Sequence, residues 1–193
     1  MEINIRSARR EEAGQLAVLM NMAGEGIPSY LWTRMAEPGE EPMEVGARRV
    51  RRDEGGFSYQ NAHVAEVGEE IAGSLVGYRL DDPYELGSLE DYPEVVRPLV
   101  ELEAMAPGSW YINAVAVSAD HRRRGIGTML MDHAVTLARE TGARQMSLIV
   151  AEENRGAVDL YRKLDYQERA SRPVVGFPGF EHSGKWLLLV REL

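Results

Sequence analysis

One stretch of the chain constrains its fold more than any other. The apolar run WYINAVAV (residues 110–117) is followed by the loop HRRRGIG (residues 121–127) and then by a segment with apolar residues at helical spacing, which ends at Gly142. This order predicts a buried strand, a short turn and an amphipathic helix. The first amides of such a helix have no partner inside it, and the helix dipole adds positive potential at the same end. The expected ligand at the turn is therefore an anion, typically phosphate.

The residues of the turn support an anion site. Consecutive backbone amides run from Arg123 to Thr128, and Gly125 and Gly127 remove side chains that would keep a diphosphate away from the backbone. The arginines beside them can make bidentate contacts with the same anion. The pattern GxxxxGK[ST] of ATP-binding loops is missing, and GIGTML lacks the third glycine of GxGxxG. The alternative is a surface turn whose arginines are solvated.

Composition limits the classes of partner. The 193 residues are enough for one α/β domain, and we predict a single domain over residues 1–193. With 31 acidic and 22 basic side chains the net charge is −9, which argues against nucleic-acid binding and suits a cationic or amine-bearing partner. We interpret the run Arg48, Arg49, Arg51, Arg52 as a solvated helix face on which Glu44 pairs with Arg48.

Further classes are excluded by what the sequence lacks. The absence of cysteine rules out disulfides, thiol catalysis and thiolate zinc sites. The four histidines, His63, His121, His133 and His182, have no metal-ligand spacing, so no metal is predicted. No apolar run approaches the ~20 residues that span a bilayer, and the first residues lack the apolar region of a signal peptide. We predict a cytoplasmic protein that binds neither membrane nor nucleic acid.

Periodicity predicts the remaining elements. A first strand (MEINIRSA) precedes a helix that ends at Gly24 and a second, less regular helical region from Ile27 to Glu54. Two strands around Gly68 form a hairpin, and a long connection over residues 81–109 contains a helix near PEVVRPLVELEAM. The strand ARQMSLIV, the helix NRGAVDLYRKL and strands near YQERA and KWLLLV complete the chain.

Two spaced motifs connect these elements to a known family. Arg122, Gly125 and Gly127 form R-x-x-G-x-G after an apolar strand, and the pattern N-x-x-A-x-x-x-Y follows the next strand at Asn154, Ala157 and Tyr161. Together they resemble motif A (residues 110–142) and motif B (residues 144–166) of the GNAT superfamily of acyl-CoA-dependent N-acyltransferases. The resemblance implies a central mixed, mostly antiparallel sheet that is splayed between strands 4 and 5 and flanked by helices.

The resemblance also implies how acetyl-CoA would bind as co-substrate. Backbone groups of Val115 and Val117 would bond the pantetheine arm as an added strand, and Asn154, also a plausible helix N-cap, would reach the same arm. The turn would hold the pyrophosphate, although Arg123 stands where the family often has glycine. The implied cofactor-binding residues are Val115, Ala116, Val117, Arg122, Arg123, Arg124, Gly125, Ile126, Gly127, Thr128, Asn154, Ala157 and Tyr161.

Catalytic roles follow less directly. In the family the tyrosine of motif B commonly protonates the departing CoA thiolate, which assigns this role to Tyr161; without the resemblance, it would be taken as a core residue. A phenol suits the task because its ordinary pKa of about 10 is closer to that of a thiol than a carboxyl pKa is. The base is open between Glu101, Glu103 and a water held by Asn113, and both glutamates could equally be solvated helix residues.

The resulting hypothesis is an N-acetyltransferase that moves the acetyl group of acetyl-CoA to a primary amine of a small molecule or peptide. The amine attacks directly in a ternary complex. The alternative is a non-catalytic acyl-CoA-binding sensor or interaction module on the same fold, and the retention of Asn154 and Tyr161 favours the enzyme. A homodimer is left open.

Overall fold

The computed structural model describes residues 3–180 and 183–193. The strands are β1 (Ile3–Ser7), β2 (Ala62–Val67), β3 (Glu70–Arg79), β4 (Trp110–Val117), β5 (Gln145–Ala151), β6 (Gln167–Pro173) and β7 (Lys185–Glu192). The helices are α1 (Ala13–Ala23), α2 (Ile27–Met35), α3 (Pro42–Val50), α4 (Arg97–Glu103), α5 (Ile126–Glu140) and α6 (Arg155–Lys163). No helix in the described ranges combines the length and the apolar character needed to cross a membrane.

The described strands form one mixed sheet in the order β1-β2-β3-β4-β5-β7-β6. The pairs β1·β2, β2·β3, β5·β7 and β6·β7 are antiparallel, whereas β4 and β5 are parallel. The parallel ladder pairs Trp110 with Met146 and ends where Ile112 pairs with Leu148. This mostly antiparallel α/β sheet with one parallel pair confirms the predicted fold class.

The second helical region differs from its prediction. The structure has two helices there, α2 and α3, separated by a segment in which Gly39 adopts a φ of +87°. Pro42 occupies the first turn of α3, where its missing amide costs nothing, and the side chains of Glu41 and Glu44 form a capping box. Glu44 is therefore engaged at the helix start, and Arg48 pairs with Glu40 instead of Glu44.

The chain divides into two compact units. The first comprises residues 1–77 and 113–134, and the second comprises residues 78–112 and 135–193. In the first unit, α1, α2 and α3 pack around a core that includes Leu16, Met20, Trp32, Val45 and Val64. In the second unit, α4 packs against β5, β6 and β7, and the buried residues include Leu102, Met146, Leu148, Leu188 and Leu189.

A close backbone approach positions the start of the turn within the first unit. A Cβ atom at Gly73 of β3 would lie 2.7 Å from the carbonyl oxygen of Ala116, so only glycine allows this spacing. The amide of Ser118 donates to the carbonyl of Ala72 at 2.8 Å, directly after the end of β4. The point at which the chain leaves β4 is thus fixed by the neighbouring strand.

Candidate functional site

The turn after β4 is braced by side chains before it reaches the arginines. Ser118 Oγ and His121 Nδ1 lie 3.0 Å apart across a single turn of 3-10 helix, and His121 Nε2 lies 3.7 Å from a carboxylate oxygen of Glu70. Arg123 and Gly125 then adopt φ angles of +59° and +81°. The arginine that stands where the family often has glycine therefore accepts a left-handed conformation, which is unfavourable for a residue with a Cβ.

The left-handed residues Arg123 and Gly125 directly precede α5, which begins at Ile126. The carbonyl of Gly125 accepts the amide of Met129 at 3.0 Å, which closes the first helical turn. Ile126 is 1% exposed and anchors that turn in the core. The amides of Ile126, Gly127 and Thr128 lie in the first turn of α5. No earlier carbonyl of the helix is available to accept their hydrogen bonds. Apart from Gly125 and its two chain neighbours, no atom of the described residues lies within 4 Å of the position that a Cβ would take at Gly125, so there is open space beside the start of α5.

Arg122 is held at the edge of this turn by the first unit itself. Its Nε donates to the carbonyl of Val117 at 3.3 Å, and its Nη2 lies 3.4 Å from the sulfur of Met22 in α1. The sequence alone does not predict the contact with Met22, because nothing in the pattern of α1 indicates a contact 100 residues away along the chain. The bond to Val117 also occupies one of the carbonyls that the resemblance assigns to the pantetheine arm.

The strand that leads to the turn has two different faces. Ala114 and Ala116 are buried on one face, whereas Asn113, Val115 and Val117 alternate with them and are half-buried on the other. The predicted backbone-binding residues and Asn113 therefore share the more accessible face of β4.

Helix α6 carries the second motif. Asn154 Oδ1 accepts the amide of Ala157 at 3.2 Å, which confirms the predicted N-cap. Tyr161 is 7% exposed, and its ring lies 5.9 Å from that of Tyr166. Burial raises the pKa of the Tyr161 phenol, so this group keeps its proton throughout the neutral range. The alternative interpretation of Tyr161 as a core residue is therefore compatible with its packing, while its protonated state is the one a proton donor needs.

The two candidate glutamates of α4 have different surroundings. Glu101 pairs with Arg172 of β6, with 3.6 Å between Oε2 and Nε. Glu103 accepts a hydrogen bond from the hydroxyl of Tyr84 at 3.1 Å, and a second from the hydroxyl of Tyr111. Burial raises the pKa of the Glu103 carboxyl, and these two hydrogen bonds oppose that rise. Glu103 is thus a partly desolvated carboxyl held by phenols, and Glu101 is an ordinary ion-paired one.

The sequence predicts a role for Glu103 but does not identify the side chains that contact it. Tyr84 lies in the irregular segment DDPYELG, 19 residues before the glutamate. Tyr111 is buried in β4, and burial and the neighbouring Glu103 carboxylate raise the pKa of its phenol. The sequence has no periodic signal for the contact of Tyr84 with Glu103, because residues 80–88 form neither helix nor strand that would fix the spacing.

The histidines form no cluster of metal ligands in the described part of the chain, where no group of three or more His, Cys, Asp or Glu side chains could hold a metal ion. The rings of His63 and His133 lie 4.7 Å apart in an edge-to-face arrangement. Burial, with a smaller effect from His133, lowers the pKa of His63 to about 4. His182 lies outside the described residues.

The chain resembles known acetyltransferases over most of its length. The family described as "Acetyltransferase (GNAT) family" matches residues 27–166. An N-alpha-acetyltransferase of Sulfurisphaera tokodaii is 25% identical over 168 residues, which cover 86% of this chain and 81% of that protein. An uncharacterized N-acetyltransferase of Methanocaldococcus jannaschii is 40% identical over 58 residues, which cover 30% of this chain and only 26% of that relative.

A solved structure supports the fold across the whole length. The polyamine N-acetyltransferase of Drosophila melanogaster, described as catalysing the formation of N-acetylagmatine, superposes with a TM-score of 0.71 at 16% identity and covers all of both chains. At 16% sequence identity, this similarity shows that the two proteins share a fold and shows nothing about their substrates. The family match includes both motifs, the turn at Arg122–Thr128 and the helix with Asn154 and Tyr161, and from it we conclude that this chain belongs to the GNAT acetyltransferase family.

Proposed function

We propose that the protein is an acetyl-CoA-dependent N-acetyltransferase that transfers the acetyl group to a primary amine by direct attack in a ternary complex. The observation that carries this proposal is the turn Arg122–Thr128. Two left-handed residues there lead into the start of α5 with open space beside the first amides. Membership of the GNAT family supports the acetyl transfer itself.

In this proposal the amides of Arg123 to Thr128 bind the pyrophosphate of acetyl-CoA. Such a site suits a dianion because unpaired N–H groups and the positive end of the helix dipole act in the same direction. Arg122 and Arg124 add charge at its edge. On binding, the Arg122 guanidinium would exchange its contacts with Val117 and Met22 for phosphate oxygens, since an anion is a better acceptor than a carbonyl or a thioether.

Tyr161 is the proposed acid. Attack of the amine nitrogen on the thioester carbonyl forms the C–N bond, and collapse of the tetrahedral intermediate breaks the C–S bond. The phenol donates its proton to the departing sulfur, giving neutral CoA thiol. Its raised pKa keeps it protonated before the reaction, and the sulfur needs the proton only as negative charge develops on it.

Glu103 is the proposed base. An alkylamine is mostly protonated near neutral pH and cannot attack until it loses a proton. A carboxylate whose pKa is raised by burial is better matched to this task than an ordinary one. Its ion-paired neighbour Glu101 is less suited, because the Arg172 guanidinium already occupies it. A water held by Asn113 is the alternative to Glu103.

The acceptor is proposed to be a cationic amine on a small molecule or peptide. The net charge of −9 favours the approach of such a substrate. The Drosophila neighbour acts on agmatine, an amine of this kind. We propose a cytoplasmic enzyme that needs no metal and binds neither nucleic acid nor membrane.

Thiol release from acetyl-CoA in the presence of a panel of amines tests the proposal. The panel should include agmatine, polyamines and peptides with free N-termini. With an accepted amine, Tyr161→Phe should lower kcat by about 10²–10³ while the affinity for acetyl-CoA stays within a few-fold. Tyr166→Phe is the matched control, because it removes a phenol from the neighbouring ring and leaves Tyr161 in place.

The non-catalytic acyl-CoA sensor remains the second candidate, favoured by the deep burial of Tyr161 among core residues. It predicts binding of acetyl-CoA without thiol release for any amine. A Tyr161→Phe enzyme with wild-type kcat, measured where the chemical step limits the rate, would contradict the acid role.

A further inference from the structure

A group of tyrosines surrounds the carboxyl of Glu103 in the second unit. The hydroxyl of Tyr84 donates to Glu103 Oε2 at 3.1 Å, and the hydroxyl of Tyr111 donates to the same carboxyl. The ring of Tyr78 packs edge-on against that of Tyr111 with 5.9 Å between centroids. Tyr84 is half-buried on the connection before α4, whereas Tyr111 is 5% exposed in β4. Two phenols from two separate segments therefore converge on one carboxyl.

This carboxyl has no cationic partner among residues 3–180 and 183–193. Helix α4 packs against β5, β6 and β7. The arginines of these strands have other partners. Arg172 of β6 pairs with Glu101, and Arg169 of β6 pairs with Glu192. Burial raises the pKa of Tyr166, and the charge of Arg191 of β7 opposes that rise. Apart from burial, the groups that influence the ionisation of Glu103 are the two phenols. A partly buried carboxylate is costly without compensating hydrogen bonds, so these two donors decide whether it can be ionised.

We infer that Tyr84, supported by Tyr111, is a positioning residue that holds the Glu103 carboxylate in place to accept the proton of the amine substrate. This inference rests on the proposed function, in which Glu103 is the base. It adds a residue that the family motifs do not include, from residues 80–88, which form neither helix nor strand.

The substrate nitrogen loses two protons between its ammonium form and the amide product. The ammonium form of the substrate gives one proton to a Glu103 oxygen, and the neutral amine attacks the thioester. Glu103 then passes its proton to solvent, while the second proton that nitrogen loses on amide formation restores the phenol that protonated the sulfur. A hydrogen bond from Tyr84 stabilises the carboxylate and not the carboxylic acid, so it favours the form that can act as a base. Without that bond, only the hydrogen bond from Tyr111 would oppose the rise in the Glu103 pKa that burial causes.

Tyr84→Phe tests this directly because it removes the hydroxyl and keeps the ring. Tyr92→Phe is the matched control: its hydroxyl donates to the carbonyl of Leu86 at 3.1 Å, within the same connection, and does not contact Glu103. The first readout is the ¹³C NMR titration of the Glu103 carboxyl in the free protein, assigned with Glu103→Gln. Loss of the Tyr84 donor should raise the Glu103 pKa above that of the wild type, and Tyr92→Phe should leave it unchanged.

The second readout is the pH profile of kcat/KM with an accepted amine. The acidic limb should move to higher pH in Tyr84→Phe, and kcat/KM at pH 6 should fall about tenfold relative to the wild type, the size of one hydrogen bond to a charged group. At high pH the variant should recover, because an ionised Glu103 no longer depends on the missing donor. Tyr111→Phe should change the profile in the same direction.

An unchanged Glu103 titration in Tyr84→Phe, or an equal change in Tyr92→Phe, would overturn the inference and leave Glu103 available as the base. Wild-type acetylation by Glu103→Gln would instead overturn the base assignment of the proposed function. That result would also remove the role inferred for Tyr84, whatever the NMR titration shows, so the two failures are distinguishable.

Discussion

The turn at residues 122–128 and the carboxyl cluster around Glu103 are built by opposite means. The turn uses backbone amides, two left-handed residues and exposed arginines that are adjacent in sequence. The carboxyl cluster uses side chains, one carboxyl and the phenols of Tyr84 and Tyr111, which come from segments far apart in the chain. The turn is exposed and strongly charged, whereas the cluster is partly desolvated and contains no cation in the part of the chain described.

The difference matches the two roles proposed for these regions, coenzyme binding at the turn and proton transfer at the cluster. A dianionic group on a large, flexible coenzyme is best held by many fixed donors at an accessible surface. A base that must change its protonation state needs an environment that shifts its pKa, and burial with few donors provides it. We therefore expect substitutions in the turn to change affinity and substitutions in the cluster to change the rate and its pH dependence.

The largest effect is expected in the turn. Gly125→Glu places a negative charge and a side chain in the open space beside the first amides of α5, and we expect it to raise the Kd for acetyl-CoA about 100-fold or more in calorimetry. Gly39→Glu is the matched control, because Gly39 also has a left-handed φ, +87°, and open space around it. If folded Gly125→Glu and Gly39→Glu variants both bind acetyl-CoA with wild-type affinity, the turn is not the coenzyme site.

The next effect concerns the cluster. Glu103→Gln keeps the shape of the side chain but cannot accept a proton, so kcat at pH 7 should fall about 10²-fold with little change in acetyl-CoA affinity. The deficit should shrink as pH rises, since free amine then becomes abundant. In the wild type the rate should fall as pH drops towards the raised pKa of Glu103, because the base is then protonated.

Glu101→Gln provides the comparison for that experiment. It lies two residues away on the same helix, makes the same chemical change and loses only an ion pair with Arg172. We expect its kcat to stay within about twofold of the wild type, because partly exposed ion pairs contribute little. Equal losses in the two variants would indicate a general effect on α4 instead of a base at Glu103.

The smallest expected effect is the salt dependence of the Kd and of the rate, which should differ between the turn and the cluster. Exposed arginines at the turn are screened by ions, so the Kd for acetyl-CoA should rise about fivefold between 50 and 500 mM NaCl. Arg122→Gln should reduce that dependence. The rate at saturating concentrations of both substrates should change less than about twofold, because the phenol–carboxyl hydrogen bonds are short-ranged and partly buried. A salt dependence of kcat as steep as that of Kd would contradict the assignment of binding to one region and proton transfer to the other.

Local patterns were sufficient where structure depends on neighbouring residues. The strand–turn–helix of residues 110–142, the hairpin around Gly68 and the N-cap at Asn154 follow from periodicity, turn residues and spacing within a few positions. The prediction of one helical region from Ile27 to Glu54 was wrong in detail, because a capping box and a left-handed Gly39 divide that region into two helices. The predicted pair of Glu44 with Arg48 was also wrong, because Glu44 is engaged in the cap and Arg48 pairs with Glu40.

The sequence by itself determined the family and the fold class, and it predicted an anion-binding turn, because each of these inferences depends on residues close together in the chain. Only the tertiary structure distinguished the surroundings of Glu101 from those of Glu103, and only it brought Tyr84 into contact with Glu103 and Met22 into contact with Arg122. The environment of a carboxyl is set by the segments that pack around it. Those segments meet through the burial of the whole unit, and no local pattern encodes which side chains will then lie within hydrogen-bonding distance.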